Sequence, residues 1–148
     1  MKFILLLLLT TACVIAQSSS DDKKLGTVII NISGFESSQG DIRIFLYNIP
    51  GAFPSKPEKA LMKKIIKLKN KKIEVILDDV PYGVYAISAH HDENKNGIID
   101  TNFLGIPNEA LGSSNNPKGL MGPPEFDDAK FKLDKSQIQL KIKVSTIF

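Results

Sequence analysis

Gln137-Ile138-Gln139-Leu140-Lys141-Ile142-Lys143-Val144 places four apolar residues at even positions and four polar ones between them. Successive side chains of an extended chain point to opposite faces, so this stretch reads as a strand with one dry face and one wet face. The same period of two recurs toward the N-terminus. Ile73, Val75 and Leu77 alternate with Lys72, Glu74 and Ile76. Ile42, Ile44 and Leu46 alternate with Arg43, Phe45 and Tyr47, and Val28, Ile30 and Ile32 with Ile29, Asn31 and Ser33. Segments 61–68 and 129–133 alternate less cleanly, and 83–91 is apolar on both faces, as a central strand would be. Between these runs stand the turn residues Ser37-Ser38-Gln39-Gly40, Lys69-Asn70-Lys71, Asp78-Asp79-Val80-Pro81-Tyr82-Gly83 and Asp134-Lys135-Ser136. Only 57–66 offers a short helix. About seven strands at this spacing predict an all-β chain folded as an antiparallel β-sandwich, because a single sheet would leave one oily face bare.

A chain of 148 residues accommodates one domain. Its 43% hydrophobic and 24% charged residues are an ordinary globular balance. The net charge of +3 is too mild to name a nucleic acid or an acidic membrane as partner. Eighteen of the nineteen basic residues are Lys and one is Arg43, so the bidentate fork that reads phosphates and guanines is nearly absent. Eight lysines fall within 56–72, mostly in turns or opposite the apolar positions of strands, and read as a solvated face that keeps strand edges from aggregating. A single cysteine excludes a disulfide framework within the chain.

Met1-Lys2 followed by Phe3-Ile4-Leu5-Leu6-Leu7-Leu8-Leu9 and ending near Val14-Ile15-Ala16 reads as a cleaved export leader, 1–16. The apolar run is too short to cross about 30 Å of hydrocarbon comfortably. No transmembrane segment is expected after cleavage, and the location is periplasmic or extracellular. The alternative is a lipoprotein anchored through Cys13, since Thr10-Thr11-Ala12-Cys13 faintly resembles a lipid-attachment site. Residues 17–24 then form a flexible polar tether and 25–148 the sandwich. Asn31-Ile32-Ser33 fits a glycosylation pattern but lies inside an expected strand, and is read as chance.

The chemistry-bearing stretch is His90-His91-Asp92-Glu93-Asn94-Lys95-Asn96-Gly97-Ile98-Ile99-Asp100. Oxygen-bearing side chains occupy loop positions 1, 3, 5 and 9 (Asp92, Asn94, Asn96, Asp100), with Gly97 at position 6 where a tight turn needs a positive φ. The spacing suits Ca²⁺, which takes six to eight oxygens, and the backbone carbonyl of Ile98 would add another. Position 12 is Phe103 rather than the bidentate Glu of an EF-hand, so Glu109 is the candidate distant ligand and Asn102 a weaker one. The competing reading is a turn held by side-chain-to-backbone hydrogen bonds without an ion.

His90 and His91, as neighbours on one strand, face opposite ways and cannot converge on one zinc ion. No Gly-x-Ser-x-Gly and no activated cysteine supplies a nucleophile, so a hydrolytic triad has little support.

Residues 102–125 hold four Gly, four Pro, four Asn and two Ser, without strand or helix signal. This reads as a long Gly/Pro/Asn-rich loop whose Phe103, Leu104, Ile106, Leu111, Leu120 and Met121 pack onto the body. The order His91-Asp92-Glu93-Asn94-Lys95-Asn96-Gly97, Asp100-Thr101-Asn102-Phe103-Leu104-Gly105-Ile106-Pro107, Ser114-Asn115-Asn116 and Gly122-Pro123-Pro124-x-Phe126-x-Asp128-Ala129 closely resembles the bacterial domain-of-unknown-function family numbered 2141. Val80-Pro81-Tyr82-Gly83-x-Tyr85-Ala86 resembles that family's turn into its central strand. The resemblance runs over roughly 25–147. It implies an exported bacterial protein with a small β-sandwich, immunoglobulin-like or prealbumin-like, and no established reaction. It carries over Asp92, Asn94, Asn96 and Asp100 as ion ligands and no catalytic residue. Where the family pattern has Tyr and Phe flanking the glycine at 112, this chain has Leu111 and Ser113.

The expected function is a non-enzymatic exported module, braced by a weak Ca²⁺ site, that presents 102–125 to a protein, glycan or small-molecule ligand. The alternatives are a metal-assisted hydrolase using His91, Asp92 and Glu109, and a carrier of a small apolar ligand.

Overall fold

The structure is a computed structural model and describes residues 23–118 and 122–146. The expected leader, Cys13, most of the tether, Leu120 and Met121 lie outside the described residues. The chain forms β1 (Leu25–Ser33), β2 (Asp41–Tyr47), β3 (Met62–Lys67), β4 (Lys72–Pro81), β5 (Gly83–Asp92), β6 (Leu111–Ser113), a single helical turn α1 (Phe126–Ala129), β7 (Phe131–Leu133) and β8 (Gln137–Lys143). One sheet has the order β4-β1-β8. The other runs β3-β2-β5-β6, with β7 also paired to β5.

The two sheets bury a common core. Val28, Ile30 and Ile32 of β1 and Val75 and Leu77 of β4 meet Ile42, Ile44 and Leu46 of β2 and Ile87 and Ala89 of β5. These are the positions that the period of two assigns to the dry faces, and the expected all-β sandwich is what the chain adopts.

Three local expectations are corrected. The pairing of β1 with β8 is parallel, whereas the other strand pairs are antiparallel. The cause is β7: it runs antiparallel to the start of β5, Leu133 facing Gly83, and so delivers the chain to the end of the sandwich where β1 begins. The turn expected over Asp78–Gly83 is shorter, because β4 continues to Pro81 through Asp79, whose φ is +55. A register shift between Gly26 and Val28 takes up that irregularity. Within 57–66 the helical part is one 3-10 turn, Pro57–Lys59, and the rest enters β3.

The outer face of β2 is also not wet. Phe45 and Tyr47 are buried with Ala52, Phe53, Ala86, Phe126 and Ala129 in a second small core. Tyr47 and Phe53, and Phe53 and Phe126, meet edge to face at centroid separations of 5.6 and 6.1 Å.

The 102–125 segment divides into two parts, and its structureless reading is corrected. Leu111–Ser113 is a strand on β5, and an isolated bridge joins Leu111 to Ser145. The Asn116 carboxamide then acts as a strand residue on β8, its Nδ2 donating to Lys141 O at 2.9 Å and its Oδ1 accepting from Lys143 N at 2.7 Å. Pairing of this kind leaves no trace in hydrophobic periodicity. Residues 101–107 instead form a small turn closed by a Thr101–Pro107 bridge, and Phe103 and Leu104, expected to pack onto the body, are exposed on it.

Candidate functional site

β5 carries His90, His91 and Asp92 to one end of the sandwich, where Asp92 pairs with Asp41 at the start of β2. The chain then turns back over the outer face of the sheet, with Lys95 at φ +62 and Gly97 at φ +83. Gly97 permits a close approach: a Cβ there would stand 3.1 Å from Arg43 Nη1.

Asp92 is fully buried, and its carboxylate organises the loop. Oδ1 accepts Asn96 N at 3.1 Å, and Oδ2 accepts Gly97 N at 2.9 Å and Arg43 Nη1 at 3.1 Å. A buried carboxylate needs this set of donors, because it has lost its water.

Above it, Asn94 Nδ2 donates to Asp100 Oδ2 at 2.6 Å, and Asn96 Nδ2 lies 3.1 Å from both oxygens of Asp100. Asn94 Oδ1 accepts Asn96 N and Asn96 Oδ1 accepts Ile98 N, at 3.0 and 2.9 Å. Asp92, Asn94, Asn96 and Asp100 are thus brought together on one short bend. Ile98 is 64% exposed, its amide tied to Asn96.

Glu109 stands behind this group. It is buried, with Oε2 2.7 Å from His90 Nε2 and 3.1 Å from Asp100 N, while Oε1 accepts Glu93 N at 3.2 Å. Glu109 thereby holds both limbs of the loop. Asn102 Oδ1 takes the amides of Leu104 and Ile106, away from the cluster.

The trio His91, Asp92 and Glu109 is not gathered. His91 is fully buried on the core side, with Nε2 2.8 Å from Gln39 O and its ring edge-on to Phe35 at 5.1 Å. It is His90, on the outer face, that meets Glu109. Among the described residues no three His, Cys, Asp or Glu side chains gather where they could share a metal ion. The cluster's oxygens come from two Asp and two Asn, a hard-donor set of low charge.

Sequence reasoning missed Arg43 as a member of this site. The available signal was its solitude, the one Arg in a chain that otherwise uses Lys, on an outward position of β2. Among the described residues no helix is long and apolar enough to cross a membrane.

The family described as "Uncharacterized protein conserved in bacteria (DUF2141)" matches residues 30–141, from the middle of β1 into β8. No curated protein and no solved structure matches the chain.

Proposed function

The chain belongs to the bacterial family DUF2141, and on that premise we propose that it is an exported, non-enzymatic β-sandwich module whose 92–100 bend binds Ca²⁺ as a brace. The leader-like start of the sequence supports export to the periplasm or beyond. The observation that carries the calcium reading is the gathering of both Asn carboxamides on the Asp100 carboxylate, beside buried Asp92.

Rotation of each carboxamide toward an ion would exchange nitrogen for oxygen and release the Asn96 and Ile98 amides that those oxygens now accept. The same side chains would then present oxygens to a cation, where without one they present N–H groups to Asp100. Asp92, Asn94, Asn96, Asp100 and the Ile98 carbonyl would hold the ion with water completing its shell, while Glu109, expected as a distant ligand, stays bonded to His90 and braces the loop from behind. Two carboxylates and an incomplete shell place the affinity at about 10⁻⁴–10⁻³ M, the range of extracellular modules. The segment presented to a protein, glycan or small-molecule ligand narrows to 101–107, because 111–116 is stitched into both sheets.

Thermal unfolding with CaCl₂ against chelator tests the brace. At ten times the dissociation constant, binding to the folded state adds about 1.4 kcal/mol, which raises Tm by about 4–7 °C. Asp100→Ala removes the increment. Equal melting temperatures with calcium and chelator would overturn the reading.

A further inference from the structure

The turn 101–107 exposes apolar side chains on a backbone that leaves few of its amides open to water. Phe103 is 94% exposed and Leu104 67%, and Ile98 and Ile99 just before them are 64% and 45% exposed. Thr101–Pro107 carries no charge. Asn102 staples it: Oδ1 accepts Leu104 N at 2.9 Å and Ile106 N at 3.1 Å, its carbonyl accepts Gly105 N at 2.9 Å, and its own N–H bonds Ile106 O at 2.8 Å. Gly105, at φ +76, makes the bend possible.

The same end of the molecule carries a cationic turn. β3 ends at Lys67 opposite Asp41, which faces Asp92, so the β3–β4 turn lies two strands from the 93–110 loop. Leu68 N bonds Gly40 O at 3.1 Å, and Gly40 packs directly on Asp92 and Glu93. Lys67, Lys69, Lys71 and Lys72 are all exposed there, and no acidic residue interrupts 59–73. Lys95, on the loop itself, is exposed but lies 4.0 Å from the Asp41 carboxylate, and Glu36 is an exposed carboxylate on the β1–β2 turn, so the Lys67–Lys72 turn is the cationic element. Exposed Glu93 and partly exposed Asp100 are the loop's own carboxylates at this end; Asp92 and Glu109 are buried and committed to Arg43 and His90.

We propose that this end of the sandwich docks on a bilayer containing anionic lipid, with Phe103 and Leu104 entering the headgroup–acyl boundary and the Lys67–Lys72 turn meeting lipid phosphates. Entry into that layer favours a segment without charge and with its backbone donors satisfied internally, which holds for the amides of Asn102, Leu104, Gly105 and Ile106. A protein pocket can supply backbone partners of its own, which acyl chains cannot. Two apolar side chains alone hold a membrane weakly, and a nearby lysine cluster supplies the second attraction that stable docking needs. The surface involves the loop of the calcium reading but does not require the ion.

The chain contains no Trp, so Phe103→Trp in the full chain gives a reporter at the tip alone. Its emission is expected to shift to the blue, and to become shielded from iodide, on vesicles of phosphatidylglycerol and phosphatidylethanolamine but not of phosphatidylcholine. Adding Lys69→Glu and Lys71→Glu lowers the apparent partition coefficient by about tenfold or more, and Leu104→Ser also weakens it. Tip emission unchanged on the anionic vesicles overturns the proposal, even if the chain sediments with them through another segment. So does a blue shift that needs only higher protein concentration, which would assign the tip to a second copy. Binding that persists in chelator while calcium fails to raise Tm would keep the docking face and remove the calcium site.

Discussion

Ser114 fills a gap in the pairing of β5 that no strand covers: its hydroxyl accepts Ile87 N at 2.9 Å and donates to Ala129 O at 2.6 Å. β6 pairs β5 over Ser88–His90 and β7 over Gly83–Tyr85. Ile87 lies between them, and Ser114 N also bonds Ile87 O. One fully buried hydroxyl therefore joins the central strand to the helical turn beyond it.

Ser114→Ala leaves a buried N–H and a buried carbonyl without that partner. A loss of about 2–3 kcal/mol is expected, read as a lower urea midpoint with an unchanged slope. A loss below about 0.5 kcal/mol would show that water replaces the hydroxyl.

Gly40 has φ +81, and a Cβ there would lie 2.3 Å from Asp92 O and 2.5 Å from Glu93 Cα. Both the backbone angle and the contact oppose any side chain. Gly40→Ala is expected to cost more than about 2 kcal/mol and to displace the start of the 92–100 bend. Hydrogen exchange of the Asn96 and Gly97 amides, which bond Asp92, should rise with it.

Arg43 neutralises the Asp92 carboxylate that a cation would share. Arg43→Met removes a partner of a buried charge, so stability in chelator should fall by about 2 kcal/mol. Calcium affinity should move the other way, several-fold tighter, because a competing positive charge has gone. Calorimetric titration of this variant beside the parent reads the second effect. Weaker calcium binding in Arg43→Met would contradict it.

Tyr47 and Tyr85 both have phenols raised above the ordinary value of 10.0. Burial is the main cause in each. For Tyr47 a hydrogen bond with Ser88 lowers the pKa, and the charge of Glu58 raises it. The unfolded chain therefore releases these protons first. The contribution is fully present below about pH 10 and declines as pH rises through the folded-state values. Tyr47→Phe should lose about 1 kcal/mol near neutrality with its bond to Pro54 O. It should also show a shallower alkaline decline than the parent, measured by urea unfolding between about pH 9 and pH 11. Parallel declines would refute the assignment.

The sandwich was legible because its dry faces are written in a period of two: Ile30, Ile44, Val75 and Ile142 are buried where alternation put them. That Asp92, Asn94, Asn96 and Asp100 share one bend follows from their spacing, and their side-chain-to-backbone bonds are those that the competing ion-free turn also predicts. What escaped depends on partners distant in sequence. Leu111–Ser113 is a strand only because the edge of β5 is open beside it. Phe45 and Tyr47 are dry only because Phe53 and Phe126 cover them. Arg43 belongs to the bend through Asp92, 49 positions away. Glu109 takes His90 as partner instead of joining the oxygen cluster, a choice that strand alternation permits but does not dictate.

β1 begins at Leu25 beside Pro81 and ends at Ser33 beside Lys72, at the end of the sandwich where Lys67, Asp41 and Asp92 lie side by side and the 92–100 bend leaves β5. Nine extended residues span about 30 Å. Whatever restrains the chain upstream of Leu25 therefore grips the pole opposite Phe103. Were the chain restrained at that pole and docked through the other, as we propose, the sandwich between them would act as a strut whose length the strands set.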